Sequence, residues 1–226
     1  MGVALIDSGI DPKHAALARR VVYTKDFTGG NGVDTYGHGR HVGATILGAA
    51  GQTPDTATYQ GVAPSARLIN LRVLDGTGAG QASDVIDAID WAVDHRNQFN
   101  IKVINLSLGA AVTQSYKDDP LCEAVERAVA AGITVVAAAG NYGVTKDGAP
   151  IFGAITAPGN DPAALTVGDG ANDLAMMAES GVSIAFHAKP AVRAQARHAF
   201  NHAGLDGVLA LFPPRAMRYV ELHSSH

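Results

Sequence analysis

Cysteine occurs once, at Cys122, in a chain of 226 residues. An internal disulfide framework is therefore excluded. Cys122 falls at a helix start, where a packed thiol is expected. No apolar run reaches the roughly 18 residues of a membrane-spanning helix. Charge of one sign is not in excess, because 17 Lys and Arg stand against 21 Asp and Glu, a formal net charge of −4. That balance gives no electrostatic case for a nucleic-acid or anionic-membrane partner. A basic leader is missing too: the chain opens Met1-Gly2-Val3-Ala4-Leu5-Ile6 and reaches Asp7 at once. The expectation is a soluble chain without a signal peptide, cytoplasmic as written. What is present is apolar bulk, 47% of residues, and 26 glycines. Together they suit a sizeable core with many tight connections.

Short apolar runs alternate with helical patterns. Strands are expected at Val3–Ile6, Arg67–Leu74, Ile101–Leu108, Ile133–Ala139, Ala164–Val167 and Val182–Phe186. Several are apolar on both faces, as buried parallel strands are. Ser83 is read as the N-cap of a helix with Asp84 in its first turn and Val85, Ile86, Ile89 and Val93 on its inner face. Pro120 opens another helix, lined by Leu121, Ala124, Val125, Ala128 and Val129 and stopped by Gly132. This alternation predicts an α/β fold of three layers, α/β/α, around a mainly parallel sheet. Functional groups in such folds gather beyond the carboxyl ends of the strands.

Three residues sit at such places. Asp7 follows the first strand in Ile6-Asp7-Ser8-Gly9, where a carboxylate is placed to orient a histidine; a turn-capping aspartate is the competing reading. His38 stands between glycines in Gly37-His38-Gly39-Arg40-His41-Val42. It is a candidate general base at the start of a buried helix. With His41 it also makes an i, i+3 pair of metal-ligand type, without a third ligand nearby. Asn141 follows an apolar strand in Ala139-Gly140-Asn141, placed to donate to a developing oxyanion or to serve as a turn asparagine.

In this order and context the three resemble the subtilase (subtilisin-like serine protease) family. Val3–Asp11 resembles its Asp motif and Gly37–Val42 its His motif. Gln60–Trp91, Asn105–Gly109 and Ala138–Gly143 extend the likeness over residues 3–167. The resemblance implies that Asp7 and His38 are the acid and base of a triad and Asn141 its oxyanion donor. It implies that Ser107, Leu108 and Gly109 form one wall of a cleft for extended peptides, with Gly78 and Gly80 on the other and Gly140 beside the primary pocket. It implies a protein or peptide substrate, no cofactor, and a family often secreted. Two departures stand out. Arg40 replaces the usual Thr, and Val42-Gly43-Ala44-Thr45 inverts the usual Ala-Gly order, so that a methyl clash is expected at Ala44.

The family's Gly-Thr-Ser segment, which carries the nucleophile, does not occur. The serines after Asn141 are Ser180, Ser183, Ser224 and Ser225, none in that context. Loss of the triad serine costs subtilisin about 10⁶ in turnover. Instead, Val167–Phe212 resembles the carboxyl-terminal part of phosphoserine phosphatase, of the haloacid dehalogenase-like superfamily, through Gly168-Asp169-Gly170-Ala171-Asn172-Asp173. By that resemblance Asp169 and Asp173 would hold Mg²⁺, although the nucleophilic Asp-x-Asp motif of that superfamily is absent. The division expected is 1–167, a truncated peptidase core, and 168–226, a phosphatase-like fragment that continues the same sheet. The functional expectation is a subtilisin-like serine endopeptidase, impaired or inactive. A peptide-binding pseudoprotease and a Mg²⁺-binding phosphatase remnant are the alternatives.

Overall fold

The computed structural model describes residues 1–17, 19–49, 60–142, 145–147, 149, 151, 154–167, 184–186 and 198–200. The chain divides into two compact units, Met1–Ala139 with Thr156–Val167, and Gly140–Ile155 with Gly168–His226. No described helix is long and apolar enough to cross a membrane.

The first unit is built on a parallel sheet of six strands. These are β1 (Gly2–Asp7), β2 (Val21–Asp26), β3 (Arg67–Arg72), β4 (Ile101–Leu106), β5 (Thr134–Ala138) and β6 (Leu165–Val167). They lie in the order β2-β3-β1-β4-β5-β6. Side chains alternate across a strand, and every residue of β1 is buried, so β1 feeds two cores. Ala4 and Ile6 join Ile69, Leu71, Ile104, Leu106 and the helices α2 (Ala82–Asp94) and α3 (Pro120–Ala130). Leu5 joins Leu68, Ile10, Leu17 and Leu47 on the opposite face, with α1 (His38–Leu47). Helices on both faces of one parallel sheet make the three-layer α/β/α architecture. In the second unit the described strands are β7 (Ile184–Phe186) and β8 (His198–Phe200), which pair in parallel with Ile184 opposite His198.

The sheet steps the same way from β2 to β3, from β3 to β4 and from β4 to β5. Yet α1 covers one face and α2 and α3 the other. The β2-α1-β3 crossover therefore has the opposite hand to the two that follow. Crossovers of one hand are almost universal, so this reversal is a distinctive feature. It brings the first residue of α1 beside the carboxyl end of β1.

Three sequence expectations need correction. Strand β2, Val21–Asp26, was not foreseen; it is the sheet edge, mostly exposed or half-buried, so it lacks a continuous apolar run. Ser83 is the second residue of α2 and not its cap. Leu74 bridges to Gly80, and Gln81 is left extended (φ −98°, ψ 141°) as the N-cap. The clash expected at Ala44 does not arise, because Ala44 packs half-buried against the Leu5–Leu68 cluster. The inverted glycine does its work at Gly43, where a Cβ would stand 2.7 Å from Ile10 Cδ1.

Candidate active site

Parallel strands place all their carboxyl ends on one edge. There the chain leaves β1 at Asp7, β3 ahead of the 75–80 loop, and β4 ahead of 107–109. β1 lies between β3 and β4, and the chain steps from β1 toward β2 on one side but from β3 and β4 toward the other. Clefts form outside such points.

Asp7 closes β1 with its side chain fully shielded, while the His38 side chain is 42% exposed. His38 Nδ1 lies 2.8 Å from Asp7 Oδ1 and 3.0 Å from Oδ2. The backbone N–H of Ser8 donates to Asp7 Oδ1 at 2.7 Å. Burial pushes the Asp7 carboxyl above its ordinary value, and the hydrogen bonds from His38 and Ser8 offset part of that rise. A carboxylate acceptor fixes the neutral imidazole as the Nδ1–H tautomer. Nε2 is then the basic atom, on a ring that solvent reaches.

Two glycines make the approach possible. At Gly39 a Cβ would run into Gly9 O and would stand 3.1 Å from Asp7 Oδ1. Gly37, the N-cap of α1, has φ 107°. That left-handed turn suits glycine, and it starts the helix with His38 at its first position. Gly37 supplies no side chain to cap the helix. Asp34 does so from the preceding loop, accepting N–H bonds from Tyr36 (3.0 Å), Gly37 (2.7 Å) and Arg40 (2.8 Å). Sequence reasoning passed over Asp34, although an aspartate just upstream of an apolar helical period is a helix-start signal. Arg40 directs its guanidinium back toward the turn, with Nη2 3.5 Å from where a Gly37 Cβ would stand.

Of the cleft residues expected from the sequence, Gly78, Gly80, Ser107, Leu108 and Gly109 lie in loops that follow β3 and β4 on the same sheet edge. Gly78 has φ 82° and a Cβ there would strike the Tyr36 ring at 2.6 Å, so the 75–80 loop packs on the turn that leads into His38. Val73 N–H donates to Asp7 O at 2.9 Å, which ties that loop's base to the same strand end. A Cβ on Gly80 would strike Val73 O, and one on Gly109 the Thr156 hydroxyl. Asn105 Nδ2 donates to Ser107 Oγ at 2.9 Å. Ser107, Leu108 and Gly109 run past the last ladder pair, Leu106 with Ala137. Gly140 (φ 100°) and the exposed Asn141 belong to the second unit. The site described in atomic detail is thus the Asp7–His38 pair with the two glycine-rich segments. Asp169, Asp173, Ser180, Ser183, Ser224 and Ser225 lie outside the described residues. Among the described residues no cluster of three His, Cys, Asp or Glu is placed to hold a metal, the His38/His41 pair included.

A model of the subtilase family matches residues 1–224, running past residue 167, where the sequence reading placed a join. A subtilisin-like protease of Coccidioides posadasii (strain C735) is 37% identical over 165 residues, 72% of this chain and 36% of the relative. The serine protease AprX of Bacillus subtilis (strain 168) is 34% identical over 174 residues, 74% of this chain and 37% of the relative. The solved structure of sphericase superposes with a TM-score of 0.60 at 32% identity, covering 74% of this chain and 53% of that one. The chain spans about a third of the length of the first curated relatives it matches. The sheet order, the paired aspartate and histidine at the carboxyl edge and a family match over almost all residues agree, and the chain belongs to the subtilase family.

Proposed function

We propose that this chain is a subtilisin-like serine endopeptidase core that retains its acid–base pair and peptide cleft but hydrolyses peptide bonds feebly or not at all. The observation that carries the reading is the 2.8 Å contact of His38 Nδ1 with a shielded Asp7, in a sequence without a Gly-Thr-Ser segment. Asp7 orients the ring, and His38 Nε2 is the proton acceptor for a nucleophile. Asn141 is the donor for the oxyanion. An extended peptide would lie between Gly78–Gly80 and Ser107–Gly109 as an added strand. Binding without turnover is then the residual activity. Fluorescently labelled unfolded casein tests this directly. Saturable binding that is lost on enlarging Gly109 to Val, with no cleavage products, supports the reading. His38-dependent cleavage would show a working protease, and absence of binding would remove the cleft.

A second reading rests on sequence alone. Gly168-Asp169-Gly170-Ala171-Asn172-Asp173 resembles the Mg²⁺ loop of phosphoserine phosphatases, and residues 168–226 would then be a fragment of that kind. Its oxygen ligands suit a hard cation. Mg²⁺-dependent release of phosphate from phosphoserine, abolished by Asp169→Asn, would support it; no release would leave the peptidase reading alone.

A further inference from the structure

Ser8 is fully buried and commits its backbone N–H and its hydroxyl to one circuit. Its backbone N–H goes to Asp7 Oδ1 at 2.7 Å. Its hydroxyl donates to Asp34 Oδ1 at 3.0 Å and accepts the Gly39 N–H at 2.9 Å. Asp34, also buried, takes the Gly37 N–H at 2.7 Å and the Tyr36 and Arg40 N–H groups. The residues on either side of His38 are therefore pinned, Gly37 by Asp34 and Gly39 by Ser8. The His38 ring itself is held by Asp7.

A helix cap alone needs no link to a neighbouring strand. Here the hydroxyl that serves α1 is carried by the residue next to Asp7, so the carboxylate and the ring are referenced to one another through Ser8. Pairing within a few tenths of an ångström is what orientation of a general base demands. We propose that Ser8 and Asp34 are positioning residues that fix the His38 ring against Asp7. This inference rests on the Asp7–His38 reading above and assigns the support that keeps that pair in register.

The test uses the ¹⁵N-labelled full chain and the downfield proton resonance of His38 Nδ1–H, which reports its hydrogen bond to Asp7. In the wild type this proton should exchange slowly with water. Ser8→Ala leaves Gly39 N–H without its acceptor, and the proton should exchange about tenfold faster, as expected for loss of one buried hydrogen bond. Asp34→Asn turns a carboxamide NH₂ toward one of the donors that Asp34 now accepts, with at least the same effect. Asp119→Ala removes the cap of α3, where Asp119 Oδ1 accepts the Leu121 N–H at 2.9 Å, and should leave the resonance unchanged. If Asp34→Asn fails to fold, Ser8→Ala decides. Unchanged exchange in a folded Ser8→Ala chain overturns the proposal while leaving the pair intact. A wild-type chain without the resonance overturns the pair itself, and the proposal with it.

Discussion

Helices α1 and α3 begin in opposite ways. α3 starts with local chemistry: Asp119 caps it, Pro120 takes the first turn and Glu123 sits near its positive end. It ends locally as well, with Gly132 (φ 84°) donating to Val129 O and Ile133 to Ala128 O, a Schellman closure. α1 starts at a left-handed glycine without a capping side chain, and its donors are met by Asp34 from the preceding loop and by Ser8, the residue that follows β1. The difference shows what the site requires. A helix start that needs only to be stable is encoded within a few residues. A start that must deliver His38 to Asp7 is encoded across 31 residues of chain.

The largest break in that contrast should come from Asp34→Ala. It strands the buried Ser8 hydroxyl and three part-buried N–H groups and should cost about 3 kcal/mol; Asp119→Ala should cost only about 1 kcal/mol. Urea unfolding monitored by circular dichroism measures both. Comparable losses would erase the distinction between the two starts. A similar pair lies in the glycines. Gly39→Ala overpacks the Asp7–Gly9 corner and should cost about 1–3 kcal/mol. At Gly132 a Cβ meets nothing within 4 Å, and only its left-handed φ opposes Ala, about 1 kcal/mol.

A pH effect follows from Asp7. Burial raises its folded carboxyl above the 3.8 of the free side chain, so the folded chain holds this proton more tightly than the unfolded chain. Its contribution to stability therefore falls as pH climbs from 3.8 to the raised value, and the burial cost is complete above it. Asp7→Asn has no such titration. The variant's unfolding midpoint relative to wild type should shift upward across that interval. A difference that is flat with pH would contradict the burial account. The smallest effect concerns Cys122, whose thiol burial pushes up to about 12, helped by Asp119, Asp161 and Glu126. A thiol reagent at neutral pH should label it only after unfolding.

The sequence made the repeating framework visible. β1, β3, β4 and β5 stand out as short apolar runs, and the stop of α3 as Gly132 at the end of an apolar helical period. β2 escaped because an edge strand needs no continuous apolar run; its Val21-Val22-Tyr23-Thr24 carries β-propensity and little else. Ser83 misled because a serine before an apolar period is a cap only if the preceding chain is free, and the Leu74–Gly80 bridge fixes that start at Gln81. Asp7 and His38 were legible through the glycines and strand end around them. Asp34 carries a helix-start signal of its own, but its contact with Ser8 was not legible, since no spacing rule joins a serine to an aspartate 26 residues away. Only the folded corner shows that they meet.

The most direct test of the proposal that the Asp7–His38 pair lacks a nucleophile is a fluorescent fluorophosphonate, which phosphonylates an activated serine hydroxyl with release of fluoride. The full chain, shown to be folded by far-UV circular dichroism, is labelled beside His38→Ala. Equal, background labelling of the two is the result expected of a pair without its serine. Strong labelling of the wild type that vanishes in His38→Ala would contradict it and show that one of the chain's serines completes the triad.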